Sequence, residues 1–393
     1  MSLAAPSSAS AKPSQPVLGI YVHWPFCSAI CPYCDFNVHA AHKNTHDAAA
    51  WRAAYRAELR HAFSLRGHGK VETVFFGGGT PSLMPPALVG NILADIGALW
   101  GFAPQAEISL EANPVSAPRP HLQDLHAAGI NRLSLGAQAF DDAALKKLGR
   151  THSAADARAA FEAAQDIFDA ASFDLIYARP GQDLSAWQAE LGQALALNPQ
   201  HMSLYQLTIE PQTPFYKQAA QGRLNVPDED MAARLYELTQ DLCAAAGLPA
   251  YEISNHARAG FACRHNSAIW RGADYIGIGP GAHGRVSIDG RKYASMAQKQ
   301  PEAWRLACEE NGHGWQFMTP LSDEEAAEEA VMLGLRLTEG IGLAALARRG
   351  VRLAQDKIAA LQNDGLLQAR DDALQASDKG RLLLDYIIGR LLA

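Results

Sequence analysis

The sequence predicts an α/β fold, an open six-unit (β/α)6 partial barrel followed by a smaller, mostly helical C-terminal domain. Three observations predict it. Short runs rich in β-branched and aromatic residues alternate six times with long Ala-rich amphipathic stretches, the pattern of parallel β-α units. Polar and glycine residues gather just after each run, at the strand end where barrels of this kind place their chemistry. From about residue 300 the character changes to helical periodicity. The chain has 393 residues, 48% of them hydrophobic, enough for a sizeable core and more than one domain.

In chain order, residues 1–16 (MSLAAPSSASAKPSQP) read as a disordered leader. They lack the basic start and apolar run of a secretory signal, and no later stretch reaches the ~18 uncharged apolar residues of a membrane span. The expectation is a cytoplasmic protein with no transmembrane segment, which leaves peripheral membrane contact open. With 34 Lys and Arg against 41 Asp and Glu, the net charge of −7 argues against a nucleic-acid partner. A small basic pocket stays compatible with that balance.

The six strand runs are LGIYVHW (18–24), VETVFFGG (71–78), AEISLEA (106–112), NRLSLGAQ (131–138), SFDLIYA (172–178) and HMSLYQLTI (201–209). Helical stretches at 47–64, 86–100, 155–168 and 185–197 separate them. Six units fall short of the eight of a closed barrel, hence an open one. The post-strand segments are GGGTPS, EANP, GAQAF, ARPGQD and TIEPQTPF. The barrel and its extension are expected to occupy 17–295 and the C-terminal domain 296–393, with one short polar, hairpin-like interruption among its helices.

FCSAICPYCDF (26–36) holds Cys27, Cys31 and Cys34 as C-x3-C-x2-C. In a reducing compartment such a cluster binds metal or does redox chemistry rather than forming a disulfide. Cys243, Cys263 and Cys308 lie far apart and read as buried small hydrophobes. Tetrahedral zinc would need a fourth ligand, for which His39 is the nearest candidate. Pro25 and Pro32 disfavour a helix and favour a loop able to wrap a 4Fe-4S cube, on which three thiolates leave one iron open. The residues alone leave both metals in play.

C-x3-C-x2-C after the first strand of a six-unit barrel resembles the radical S-adenosylmethionine (SAM) superfamily. The resemblance implies a 4Fe-4S cluster whose open iron chelates SAM, which is cleaved reductively to methionine and a 5′-deoxyadenosyl radical. It implies that Gly78, Gly79 and Thr80 of GGGTPS meet the SAM amino group and that Glu111 faces its ribose or methionyl part. Gln138 and Arg150 would bind polar atoms around it and Asp174 the ribose hydroxyls, with Tyr21 and Tyr33 packed nearby. Read without the family, the glycine run is also a turn, and Glu111, Gln138 and Asp174 are also satisfied polar groups at strand ends.

YVHWPFC, CPYCDF, FFGGGTPS, SLEANP, RLSLGAQAF, LKKLGRTH, SLYQLTIEPQTPF, YEISNHARAGFACRHN and DYIGIGPGAHG together resemble the branch around oxygen-independent coproporphyrinogen III dehydrogenase. Within it they are most similar to the HemW haem-chaperone family. The dehydrogenase motif carries one more cysteine, at the position of Phe36. RHNSAIW (264–270) resembles the chaperones' haem-linked H-N-x-x-Y-W element, with Ile269 in place of the tyrosine. That makes His265 the haem-ligand candidate, Trp270 a porphyrin wall, and His283 of GPGAHG the second candidate. Alone, a histidine beside Asn is more often a hydrogen-bonded structural residue. YARPGQ departs from the family pattern, with Ala178 and Arg179 where related sequences have Gly-Leu.

The implied function is a haem chaperone that binds haem and a SAM-coordinated 4Fe-4S cluster and delivers haem to an acceptor protein, without coproporphyrinogen dehydrogenase activity. The alternative is a radical SAM oxidoreductase that decarboxylates coproporphyrinogen III to protoporphyrinogen IX. Phe36 favours the chaperone.

Overall fold

The computed structural model describes residues 17–41, 47–370 and 372–392. The leader expected at 1–16 lies outside them. The six predicted runs are strands β1 (Leu18–Trp24), β2 (Val71–Gly78), β3 (Phe102–Ala112), β4 (Arg132–Gln138), β5 (Ala170–Tyr177) and β6 (His201–Gln206). They lie side by side in that order, all parallel. Register places Ile20 opposite Val74, Val74 opposite Ile108, and Leu110 opposite Leu133, so alternate residues form one apolar layer. The helices that cover this layer are Ala48–Arg66, Pro86–Leu99, Ala154–Ile167 and Leu184–Ala196. Three start at side-chain caps on Asp47, Ser153 and Asp183, which accept the first unpaired backbone N–H groups.

The sheet continues past both ends of the six units to eleven strands. Beside β1 come Asp274–Ile278, also parallel, then antiparallel His283–Ile288, Arg291–Ala297 and Trp315–Pro320. Beside β6 lies the short antiparallel Asn255–Ala257.

The boundary expected at 295/296 falls inside strand Arg291–Ala297. The following helix, Pro301–Asn311, buries Trp304 and Cys308 in the barrel core, and Trp315–Pro320 pairs with the sheet. The cause is aromatic: Trp304 packs on Trp51 and Tyr55 at ring-centroid distances of 5.4 and 4.9 Å. A second core starts with helix Asp323–Gly334 and gathers Val331, Leu335, Leu361, Leu374 and Ile387. It is mostly helical, and the expected interruption is the hairpin Leu367–Arg370 with Ala373–Ala376, joined by Ile341–Gly342 into a three-stranded sheet. Among the described residues no helix is long and apolar enough to cross a membrane.

Candidate functional site

The cysteine loop leaves β1 at Trp24 and is stitched to its surroundings by backbone. Gly79 N–H donates to Trp24 O (2.7 Å), Thr80 N–H to Phe26 O (2.9 Å), His39 N–H to Pro25 O (2.7 Å) and Ala41 N–H to Cys27 O (2.7 Å). Glycine is required for this approach: a Cβ on Gly79 would lie 2.7 Å from Phe26 O, and Gly78, at φ 108°, would drive one into the His23 ring. Cys27 and Cys31 are buried and Cys34 half-buried, all three as free thiols. Burial, then the neighbouring sulfurs, pushes Cys34 up to about 11, and burial raises Cys27 against a hydrogen bond from Thr80. Metal binding therefore displaces protons here.

The donor set fits an iron-sulfur cube. Arg150 donates from Nη1 to Cys31 Sγ (3.4 Å) and from Nη2 to Gly136 O (2.8 Å), while its buried Nε has no partner. Among the described residues no three His, Cys, Asp or Glu side chains converge closely enough to hold a single metal ion. Three thiols on one loop match the three protein-held corners of such a cube.

Beside the loop, at the C-terminal ends of β3 and β5, stand Glu111 and Asp174. Glu111 accepts one backbone N–H, from Gly78 (3.2 Å), and Asp174 accepts the Ser134 hydroxyl (3.1 Å). Burial, then the charge of Asp174, raises Glu111 to about 8, opposed by the Gly78 bond. Burial raises Asp174 to about 6 against the hydroxyls of Ser203 and Ser134 and the Arg150 charge. Neither makes an ion pair of 4 Å or less among the described residues. Two such carboxylates side by side favour a cationic ligand, and SAM carries a sulfonium and an ammonium. Gln138 adopts φ 68° where β4 shifts register, beside Gly136 and Arg150. Tyr21 donates to His23 Nδ1 (3.0 Å), whose Nε2–H bonds Asn37 O (2.9 Å). Tyr33 packs on Phe215 (6.3 Å), whose N–H bonds Pro32 O (2.9 Å).

All the predicted cluster and SAM residues thus gather at one rim; His265 does not. It lies near the starts of β1 and β2, at 3% exposure, hydrogen-bonded through Nδ1 to Thr73 (2.9 Å) and stacked on Phe75 (5.1 Å). Burial drives its pKa down to about 3, so it is neutral. Segment 251–265 closes that base of the barrel. Glu107 accepts N–H groups of Arg264 (2.9 Å) and His265 (3.2 Å), the Cys263 thiol (3.5 Å) and Arg132 (3.5 Å). Trp270 meets the Arg336 guanidinium, 5.4 Å from its ring, rather than an open cavity. His283 is exposed, and its charge helps keep the His23 pKa low after the larger effect of burial.

Sequence reasoning missed Asn37, whose Nδ2 donates to Pro280 O (3.0 Å) and Lys299 O (2.9 Å) and so anchors the cysteine loop. It also missed Ser134, although alternation along RLSLGAQ puts that hydroxyl on the same face as Gln138. Ala178 takes φ 55°, and Arg179 forms a buried ion pair with Glu190. Phe36 is 62% exposed on the cysteine loop.

The model of the radical SAM superfamily matches residues 21–191 and that of the HemN C-terminal domain residues 321–383. The chain is 36% identical to radical S-adenosyl methionine domain-containing protein 1, mitochondrial, of Bos taurus, over 99% of this chain and 91% of that one. It is 33% identical to heme chaperone HemW of Bacillus subtilis (95% and 98% covered) and 34% to that of Escherichia coli (96% and 99%). The solved structure of coproporphyrinogen III oxidase (HemN) from Escherichia coli, a radical SAM enzyme, superposes with a TM-score of 0.79 at 23% identity, over 96% of this chain and 90% of that one, which shows a shared fold. Likeness at 33% identity and above over nearly the whole of both chains means that this chain belongs to the HemW family of the radical SAM superfamily.

Proposed function

We propose that this chain binds haem alongside a 4Fe-4S cluster and SAM and hands the haem to an acceptor protein. The observation that carries the reading is the near-full-length likeness to proteins named heme chaperone HemW. The exposed phenyl of Phe36, where the dehydrogenase motif has a further cysteine, supports it. The likeness to HemN is one of fold and does not argue for decarboxylation.

Cys27, Cys31 and Cys34 would hold the cluster, which when loaded supplies an electron to bound SAM. The chain's own residues bind and orient. Asp174, and Glu111 once ionised, offer negative charge to the cationic cofactor, the Gly78–Gly79–Thr80 backbone gives it close approach, and Gln138 and Arg150 bracket its polar atoms. Arg150 also donates to Cys31. Tyr21 and Tyr33 wall the site.

The test is anaerobic reconstitution followed by two parallel assays. Haem should bind with a Soret shift, and coproporphyrinogen III with SAM and a reductant should give no vinyl product above background. Steady CO2 release in the second assay would replace the chaperone by the decarboxylase.

A further inference from the structure

A cavity of about 810 Å3 opens outside the barrel mouth, between helices Asp142–Lys147, Leu184–Ala196 and Pro214–Ala220. Its size is in the range that encloses a small organic molecule. Phe140, Leu148, Phe215 and Leu224 give it apolar walls, and Lys147 and Arg223 stand exposed at its edge. Neither cation makes an ion pair among the described residues; Arg223 reaches only the Gln221 side-chain oxygen. Glu190 at the floor is neutralised by Arg179 and also accepts from Gln182 (3.3 Å) and Phe140 N–H (2.8 Å), while Asp141, exposed, accepts Ala144 N–H (2.6 Å). Apolar walls lined also by two exposed cations that make no ion pair among the described residues match a flat apolar body bearing carboxylates.

Resting on the haem reading above, we propose that this cavity seats the porphyrin by its ring faces and propionates, with no bond to its iron. The lining holds no His, Cys, Met or Tyr, so it offers none of the usual iron ligands. A protein that must give its cargo away gains from this, since release then breaks no iron–nitrogen bond. The seat also touches the cysteine loop. Phe215 lines the cavity on one side and packs on Tyr33 on the other, and its N–H holds Pro32 O inside the cysteine motif.

The experiment titrates full-length protein with haem, read by Soret absorbance, and with metal-free protoporphyrin IX, read by fluorescence. The forms compared are wild type, Lys147→Glu with Arg223→Glu, Ala189→Trp, and His283→Ala. Ala189 is exposed on the cavity wall, so its replacement fills space without touching the core. Both rings should bind wild type with similar affinity, the charge-reversed and filled forms should bind both at least about tenfold more weakly, and His283→Ala should change neither. Wild-type haem affinity in the charge-reversed and filled forms overturns the seat while the haem reading stands. Binding of haem but not protoporphyrin IX, abolished in His283→Ala, overturns it in favour of an iron ligand. If no form binds either ring, the haem reading itself falls and the seat with it.

Discussion

Glu107 and Glu111 lie four residues apart on β3, on the same face of the strand, and the structure uses them in opposite ways. Glu107, at the base, accepts four donors from within the chain: Cys263 and the two N–H groups that open helix Arg264–Trp270 on Oε1, and Arg132 on Oε2. Glu111, at the rim, accepts one backbone N–H and faces a second carboxylate. A carboxylate whose bonds close within the chain is holding the chain together; one left under-bonded beside another negative group is waiting for something from outside. His265 falls between the two: its Nδ1 meets Thr73 and its ring stacks on Phe75, while its buried Nε2 has no hydrogen-bond partner among the described residues.

The sharpest way to break the comparison is at the rim. Any one of Cys27→Ala, Cys31→Ala or Cys34→Ala should abolish the reconstituted 4Fe-4S cluster, while Cys243→Ala, Cys263→Ala and Cys308→Ala should keep wild-type iron and sulfide. Full iron in the triple rim variant would end the cluster assignment.

At the base, Glu107→Ala strips a buried Arg132 of its counter-charge, and losses of this kind cost about 3–5 kcal/mol. Urea denaturation should show it. Equal losses for Glu107→Ala and Glu111→Ala would erase the distinction between the two ends.

Glu111→Ala should weaken SAM binding by about 1.5–3 kcal/mol, the worth of a charged hydrogen bond, with the cluster intact. Calorimetry reads it. A pH series sharpens the point. Raising pH through about 8 ionises Glu111 in the folded protein, so wild-type SAM affinity should climb from pH 6 to 9 and flatten in Glu111→Gln. Without SAM the sign reverses. The folded form keeps its proton to higher pH than the unfolded chain, whose value is near 4.5, so this group makes stability fall between those two values.

The smallest effect lies at the rim, directly after β5. Ala178→Gly should stabilise the fold by about 1 kcal/mol, because Ala178 occupies left-handed backbone that glycine enters freely. A loss in thermal midpoint would mean that its methyl packing outweighs the strain.

Five of the six strands were legible as runs bearing β-branched or aromatic residues, the fourth, NRLSLGAQ, only by its alternation of Leu with polar or small residues, and the helices as the Ala-rich amphipathic stretches between them. The rim was legible because its chemistry is local to short post-strand segments. The base was not: Cys263 meets Glu107 across 156 residues, and no spacing rule announces such a contact. Strand Arg291–Ala297 was missed because Arg291 and Lys292 interrupt its alternation, and Trp304, which ties the next helix to the barrel, looks from the sequence like any helical tryptophan. RHNSAIW suggested a ligand because a sequence displays a histidine without displaying what buries it.

Asn37 joins the cysteine loop to Pro280 and Lys299, carbonyls that lie 243 and 262 residues further on. On a ribosome, then, the three cysteines and the Gly79 and Thr80 bonds that stitch their loop are made early, but the Asn37 anchor cannot close until the chain has been made to about residue 300. The hypothesis is that cluster loading waits for this late strand, and Asn37→Ala should accordingly slow iron uptake during reconstitution without lowering the final iron content; an unchanged rate would refute it.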